Sequence, residues 1–280
     1  MEILQFEFIR NSLIAAVLVN VACGIVGSYI VIKRITFISG GISHTAFGGV
    51  GLGHLLGINP VLTALPFSVL AGILIGILSK KTKVNEDTAI GMLWVVGMAL
   101  GIIFINLTAG YAPDLFGYLF GSILTVTPFD LYMMLCLNLV IILMTVLFFR
   151  EFLFICFDEE FSTVVGVPAT ILYFALLCLI SLSVVILIRV VGVILVIGLL
   201  TIPAVISRGF THNIKKLMLL SIVIGISLTV GGLFLSYMVD LACGPTIILV
   251  LGGAFLVSLL FRRIKVLREG HVPKKVKKNG

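Results

Sequence analysis

The chain has 280 residues, of which 60% are hydrophobic and 11% are charged, and its formal net charge is +7. Soluble domains carry about 25% charged residues, and a soluble chain this apolar would lack the polar side chains that cover a surface. A bilayer removes that need if backbone polar groups are paired internally, as in helices or a closed barrel. A barrel would show short alternating strands, whereas the apolar runs here are long and continuous. The composition therefore predicts an all-α integral membrane protein.

The charged residues separate the predicted spans. A span needs about 20 predominantly apolar residues, and the stretches free of Asp, Glu, Lys and Arg are 11–32, 35–79, 88–113, 131–149, 161–188, 190–207, 217–239 and 241–261. The second stretch is long enough for two spans, with a natural break at Gly57–Pro60. We therefore expect a polytopic bundle of eight or nine transmembrane helices. The segment Asp114–Val126 is apolar but short, which suits a partial or re-entrant helix.

Lysine and arginine indicate the orientation, because they concentrate on the cytoplasmic side of membrane proteins. In the nine-span arrangement, one side holds Lys33, Arg34, Lys80, Lys81, Lys83, Arg150, Arg208, Lys215, Lys216 and the basic residues from Arg262 onward. The other side holds Asp114, Asp130, Arg189 and Asp240. This predicts a permease domain over residues 1–264 and a basic cytoplasmic tail over 265–280. Such a tail suits anionic lipid headgroups better than nucleic acid.

The predicted cytoplasmic loop before the sixth span contains a short amphipathic helix. Asp158 is a suitable N-cap, and Glu159 and Glu160 suit the first helical turn. Gly166 and Pro168 would end the helix, while Phe161, Val164 and Val165 fall on one face. Such a face fits a partner surface, or it rests on the bundle or the headgroups, and the pattern alone does not separate these alternatives.

The cysteines and glycines are interpreted first as packing residues. The five cysteines have no metal-type spacing and most lie inside predicted spans, so a disulfide framework is not expected. The glycine series Gly48, Gly49, Gly51, Gly53, Gly72 and Gly76 suits close helix contacts. The alternative is an irregular stretch, beginning at Ser39-Gly40-Gly41, that lines a cavity.

A series of short segments between about Phe8 and Phe261 matches the pattern of one protein family. They are Arg10–Leu13, Gly24–Ser28, Lys33-Arg34, Gly41–His44, Ser79–Thr82, Glu86–Gly91, Tyr118–Leu124, Phe157–Phe161, Val165–Pro168, Val191–Val196, Ile202–Ala204, Ser236–Asp240 and Gly244–Ile247. Each segment alone is weak, but all of them in this order are highly specific. Over this range the sequence resembles the membrane permeases of zinc- and manganese-type ABC importers.

The resemblance implies an importer subunit in the cell membrane that works as a two-fold permease dimer. Each copy would bind one cytoplasmic ATPase subunit, and an extracytoplasmic metal-binding protein would deliver the ion. The segment 158–167 matches the coupling helix of such importers, with Asp158, Glu159, Glu160, Phe161, Val165 and Gly166 as contact residues. The chain has no P-loop of the form G-x-x-x-x-G-K-[ST], so it is not expected to hydrolyse ATP. The divalent metal ion is cargo, and no permanently bound cofactor is expected.

His44 is the first candidate ligand of the ion path, because an ionisable group at membrane depth is a functional hypothesis by default. A neutral imidazole suits zinc, manganese or iron. The family commonly has Asp four residues before this histidine, where this chain has Gly40. Asp240 is a second candidate at the outer face, where it would attract cations or mark the water boundary. His54 and Cys243 are weaker candidates, and His212 and His271 do not look like pathway ligands.

Other classes of function remain as alternatives. A secondary transporter usually has charged residues at midplane for ion coupling, and these spans are almost free of carboxylates. An intramembrane enzyme would need paired catalytic groups, and His44, Asp240 and Cys243 form no such motif. A permease for a vitamin or an iron–siderophore complex is the nearest related alternative.

Overall fold

The structure is a computed structural model that describes residues 7–82, 84–108, 121 and 123–270. In these residues it contains α-helices, one 3₁₀ turn at Ile123–Thr125 and no strand. The helices are α1 Glu7–Lys33, α2 Phe37–Leu56, α3 Pro60–Lys81, α4 Glu86–Leu107, α5 Pro128–Leu147, α6 Phe149–Phe157, α7 Glu159–Val164, α8 Ala169–Val191, α9 Val193–Arg208, α10 Ile214–Val239 and α11 Cys243–Gly270. The predicted all-α class is confirmed.

Seven of these helices are long and apolar enough to cross a membrane: α1, α3, α4, α5, α8, α10 and α11. The shorter apolar helix α9 has 16 residues, and α2 has 20 residues rich in glycine, serine and threonine. With these two, the described part of the chain agrees with the predicted eight or nine spans. Most of the segment predicted as a partial helix, Asp114–Val126, lies outside the described residues.

Helix boundaries follow local sequence chemistry. The predicted break between the second and third spans is confirmed: Gly57 ends α2 in the left-handed conformation (φ 66°), and the Asn59 side chain accepts a hydrogen bond from the Val61 amide at the start of α3. Pro60 occupies the first helical position, where its missing N–H costs no hydrogen bond. Between α8 and α9 the chain turns at Gly192, which also has a positive φ of 81°.

The bundle is built around α1, which packs against α5, α8, α9 and α10. Of its most apolar segment, 78% is buried, compared with 22% for α11 and 28% for α4. A helix that is apolar on all sides and buried by neighbours belongs to the core of a membrane bundle. Helices α4 and α11 therefore lie at the periphery, with apolar side chains left for lipid or for another chain.

Helix α2 packs closely between α3 and α4. A Cβ atom on Gly97 would lie 2.8 Å from Thr45 Cγ2, and one on Gly101 would lie 2.8 Å from the carbonyl oxygen of Phe47. Glycine thus lets the backbones of α2 and α4 approach. Of the two interpretations of the glycines, close packing agrees with the structure, and the alternative of an irregular stretch at Ser39-Gly40-Gly41 is wrong, because these residues lie inside the continuous helix α2.

The packing interpretation of the cysteines agrees with the structure at two positions. Cys23 and Cys156 are buried, whereas Cys178 and Cys243 are half-buried and Cys136 is exposed. Burial raises the pKa of the Cys156 thiol, on α6, to about 12, so this group stays protonated at neutral pH.

Candidate functional site

The first candidate, His44, lies on the face of α2 that meets α4. Its imidazole is half-buried and stacks on the indole of Trp94, with ring centroids 4.3 Å apart and planes 11° from parallel. The close α2–α4 packing places both rings at one level of the bundle. Trp94 was not predicted as a site residue, although it is the only tryptophan in the chain and lies in a charge-free span.

Gly40 lies one helical turn before His44 and contacts the same indole. A Cβ on Gly40 would lie 3.1 Å from Trp94 Cζ3 and 3.7 Å from Ile197 Cδ1. A larger side chain there would press on the indole ring. An aspartate at position 40 would therefore require the indole of Trp94 to shift by a few tenths of an ångström.

Asp240 ends α10 at the opposite end of the bundle from the lysine-rich helix ends. It adopts the left-handed conformation (φ 54°), and its side chain is exposed at a cavity of about 530 Å³ that Cys243 also lines. The Cys243 sulfur accepts a hydrogen bond from the Ser236 hydroxyl at 3.0 Å. His54 lies in the last turn of α2 and is half-buried.

These candidates do not assemble into a metal cage within one chain. Among the residues that the structure describes, no group of three or more His, Cys, Asp or Glu side chains could hold a metal ion. Within the part of the chain that the structure describes, His44 stacks on the Trp94 ring and belongs to no such group. The roles of His44 and Asp240 in transport remain predictions.

The predicted coupling segment forms the six-residue helix α7, which is shorter than the range 158–167. The Asp158 side chain caps it by accepting a hydrogen bond from the Phe161 amide at 2.9 Å, as expected. Gly166 has a φ of 86° and follows the last turn. The helix α6 before it, Phe149–Phe157, was not predicted, because Arg150 and Glu151 end the charge-free stretch and the residues after them were interpreted as part of the cytoplasmic loop.

The apolar side chains of α7, and that of Val165 directly after it, point away from the rest of the described chain. The exposed fractions are 54% for Phe161, 84% for Val164 and 56% for Val165, and Phe157 at the end of α6 is 69% exposed. An apolar face at this exposure does not rest on the bundle. Of the alternatives left open by the sequence, a partner surface and the headgroup region remain.

A polar network lies where α7 meets the bundle. Lys80, near the end of α3, forms an ion pair with Glu159, and Lys33 at the end of α1 lies 3.9 Å from Glu86. The hydroxyl of Tyr173 on α8 donates to Glu86 Oε1 at 2.7 Å. The ammonium groups of Lys33 and Lys80 lie 4.6 Å and 4.7 Å from the centroid of the Tyr173 ring.

The other end of the bundle holds a second ion pair. Asp130 in the first turn of α5 places Oδ1 2.6 Å from Arg189 Nε, three residues before the turn at Gly192. Its Oδ2 accepts hydrogen bonds from the amide and hydroxyl of Thr127 in a capping box. The charge pattern places both residues on this side of the membrane but does not predict their contact.

Comparison with known proteins agrees with this architecture. Residues 5–262 match the ABC 3 transport family, which is nearly the whole chain. The chain belongs to the ABC 3 transport family. It is a multi-pass protein of the plasma membrane. The family resemblance that the sequence motifs indicated is therefore confirmed.

Three similar proteins cover nearly all of this ABC 3 transport family chain. An uncharacterised membrane protein of Synechocystis is 44% identical over 93% of this chain and 92% of its own length. The manganese import system permease protein ScaB of Streptococcus gordonii is 34% identical, with 91% of each chain covered. A chain in the structure of PsaBC from Streptococcus pneumoniae in complex with Fab has a TM-score of 0.80 and 34% identity, covering 91% of this chain and 92% of that one.

Proposed function

We propose that the chain is the membrane permease subunit of an ABC importer for a divalent transition-metal ion. The supporting observation is its 34% identity, over 91% of both chains, to a protein named as a manganese import system permease. The fold agrees, since seven helices are long and apolar enough to span a membrane, and one of them, α1, is buried against α5, α8, α9 and α10. In this proposal the ATPase is a separate chain.

The exposed apolar face of α7 supports ATPase binding at this helix. Phe161, Val164 and Val165 are each more than half exposed, next to the acidic residues Glu159 and Glu160. An apolar patch with a charged rim is typical of a protein interface. A second copy of the permease completes the transporter, and an extracytoplasmic binding protein delivers the metal to the end that carries Asp240.

The ion passes a transient site at His44 in this proposal. An imidazole binds zinc and iron well, whereas manganese favours carboxylate and other oxygen ligands. With Gly40 in place of a carboxylate, the site is weak, which agrees with the need of a transported ion to leave. The absence of that carboxylate favours zinc or iron(II), while the named relative imports manganese, so all three ions belong in the test.

The deciding experiment is metal uptake into proteoliposomes containing the permease, its ATPase and its binding protein. We expect ATP-dependent uptake of zinc, manganese or iron(II), with ATP hydrolysis stimulated by the loaded binding protein. A complex without ATP, and the permease alone, are the controls. Uptake of a vitamin or a metal chelate in place of the free ions would contradict the proposal, as would uptake driven by an ion gradient without ATP.

A further inference from the structure

The helix α7 is attached to the bundle through side chains from four other helices. Glu159 on α7 pairs with Lys80 on α3, and Lys80 lies over the ring of Tyr173 on α8. Tyr173 donates a hydrogen bond to Glu86 at the start of α4, and Glu86 lies 3.9 Å from Lys33 at the end of α1. These five side chains form a continuous network, which we call the α7 anchor.

The α7 anchor is partly shielded from water, so its interactions are stronger than those of a surface ion pair. The exposed fractions of its charged side chains are 10% for Lys33, 30% for Glu86, 24% for Lys80 and 31% for Glu159, and the ring of Tyr173 is buried. Two lysines at one tyrosine ring would repel each other, but each has a carboxylate partner. The cation–π contacts therefore add to two ion pairs rather than compete with them.

Backbone packing alone holds α7 weakly. The helix has six residues, its apolar face is exposed, and Ser162 is its only buried side chain. A short helix with little buried apolar surface keeps its position through the few polar contacts that it makes. Among the described residues, the Lys80–Glu159 ion pair joins α7 to another helix. The side chains of Asp158 and Thr163 instead form hydrogen bonds within α7 and its N-cap.

We propose that the α7 anchor transmits motion between the ATPase and the ion path, with Lys80, Glu159 and Tyr173 as positioning residues. Through Lys80 and Glu86 a displacement of α7 reaches α3 and α4, the two helices that enclose α2 and its His44. Contiguous networks of hydrogen bonds and ion pairs are one route by which energetic coupling between distant sites is carried. This inference rests on the proposed function, because it requires that the ATPase binds at α7.

Charge reversal tests the proposal in the complete transporter, with uptake per ATP hydrolysed as the readout. Lys80→Glu and Glu159→Lys should each lower this ratio about tenfold, because each places two like charges where the structure has a shielded ion pair. The double variant Lys80→Glu/Glu159→Lys restores opposite charges and should recover most of the ratio. Tyr173→Phe keeps the ring but loses the hydrogen bond to Glu86, and should lower the ratio by a smaller factor.

The neighbouring residues provide matched controls. Lys81→Glu is the same change one residue from Lys80, at an exposed side chain with no ion pair among the described residues, and should leave the ratio unchanged. Glu160→Lys is the same change one residue from Glu159 on the exposed side, and should release the ATPase, which co-purification measures. Lys80→Glu, which lies on α3 and outside the ATPase-binding helix, should keep the ATPase bound and still lose coupling.

The outcomes separate the inference from the proposed function. If the ATPase stays bound and uptake per ATP is unchanged in Lys80→Glu, Glu159→Lys and Tyr173→Phe, the α7 anchor does not transmit motion. Failure of the double variant to recover, with the ATPase bound and expression normal, would also overturn it. ATPase binding and uptake at the wild-type level in Glu160→Lys would instead show that the ATPase does not bind at α7.

Discussion

Trp94 is the only tryptophan in the chain, and its ring contacts both His44 and Gly40. Its fluorescence therefore reports on the predicted metal site without a label. We expect a saturable change in Trp94 emission when zinc, manganese or iron(II) is added to the purified permease, and no such change in His44→Gln. An emission change of equal size in both proteins would show that the ions bind elsewhere.

His44 itself is predicted to contribute a metal ligand in the path. His44→Ala should lower uptake at least about tenfold, since loss of one ligand interaction of roughly 1.4 kcal/mol has that effect, while the complex still assembles. A histidine kept for packing would be replaced by glutamine without loss, because glutamine preserves size and polarity. Uptake at the wild-type level in both His44→Ala and His44→Gln, with normal expression, would exclude the site.

Position 40 is predicted to tune metal preference through Trp94. Gly40→Asp adds an oxygen ligand one turn from His44, and its Cβ would lie 3.1 Å from the indole. We expect relative uptake of manganese over zinc to rise, since manganese favours carboxylate ligands, and to rise further in Gly40→Asp/Trp94→Ala. Gly91→Ala, on α4, is the control because an added Cβ there meets nothing within 4 Å. An unchanged ratio in both aspartate variants would contradict the prediction.

At the scale of elements, the Asp130–Arg189 pair fixes the end of α5 against the turn between α8 and α9. Asp130 is 6% exposed, and a buried charge that loses its partner is costly. Asp130→Asn keeps a side-chain oxygen for Thr127 but removes the charge, leaving Arg189 unpaired. We expect a loss of about 2 kcal/mol in stability after allowing for the partial exposure of Arg189, seen as a lower Tm in detergent.

The matched control for this pair is Asp87→Asn. Asp87 also lies in the first turn of a helix, but its side chain is exposed and has no ion pair among the described residues. Its replacement should change Tm little, because surface charges near helix ends contribute less than about 1 kcal/mol. An equal decrease in both variants would assign the effect to the helix terminus rather than to the ion pair.

At the scale of the whole molecule, the basic helix ends meet at one end of the bundle. Arg208 at the end of α9 donates to the carbonyl of Val31 near the end of α1, at 2.8 Å, and Arg262 on α11 donates to the carbonyl of Ile206 at 2.9 Å. Lys215 at the start of α10 lies over the ring of Phe149 at the start of α6. This arrangement fits the positive-inside rule with this end in the cytoplasm.

Topology can be tested with single cysteines in a cysteine-free background. Lys81→Cys and Lys216→Cys should be protected from an impermeant thiol reagent in intact cells and labelled after permeabilisation. Asn59→Cys, in the turn between α2 and α3 at the other end, should be labelled in intact cells. Labelling of Lys81→Cys and Lys216→Cys from opposite sides would contradict the topology.

The sequence by itself determined the membrane class, most helix boundaries and the capped helix at α7. These depend on local properties: apolar length at Ala169–Val191, turn chemistry at Gly57–Pro60 and the Asp158 cap. The conformation of the glycine-rich segment around Gly40 was harder to predict, because close helix packing and helix breaking both use glycine. The sequence alone did not separate them at Gly40, and only the continuous helix α2 showed that the segment serves packing.

The tertiary structure alone decided which distant side chains meet. Trp94 lies 50 residues from His44 in sequence, Lys80 lies 79 residues from Glu159, and Asp130 lies 59 residues from Arg189. No local pattern encodes such pairs, because they depend on which helices pack together and in which register. The aromatic contact beside the predicted ion path and the anchor of α7 both arise from helix packing, which is the physical reason that they are visible only in the folded chain.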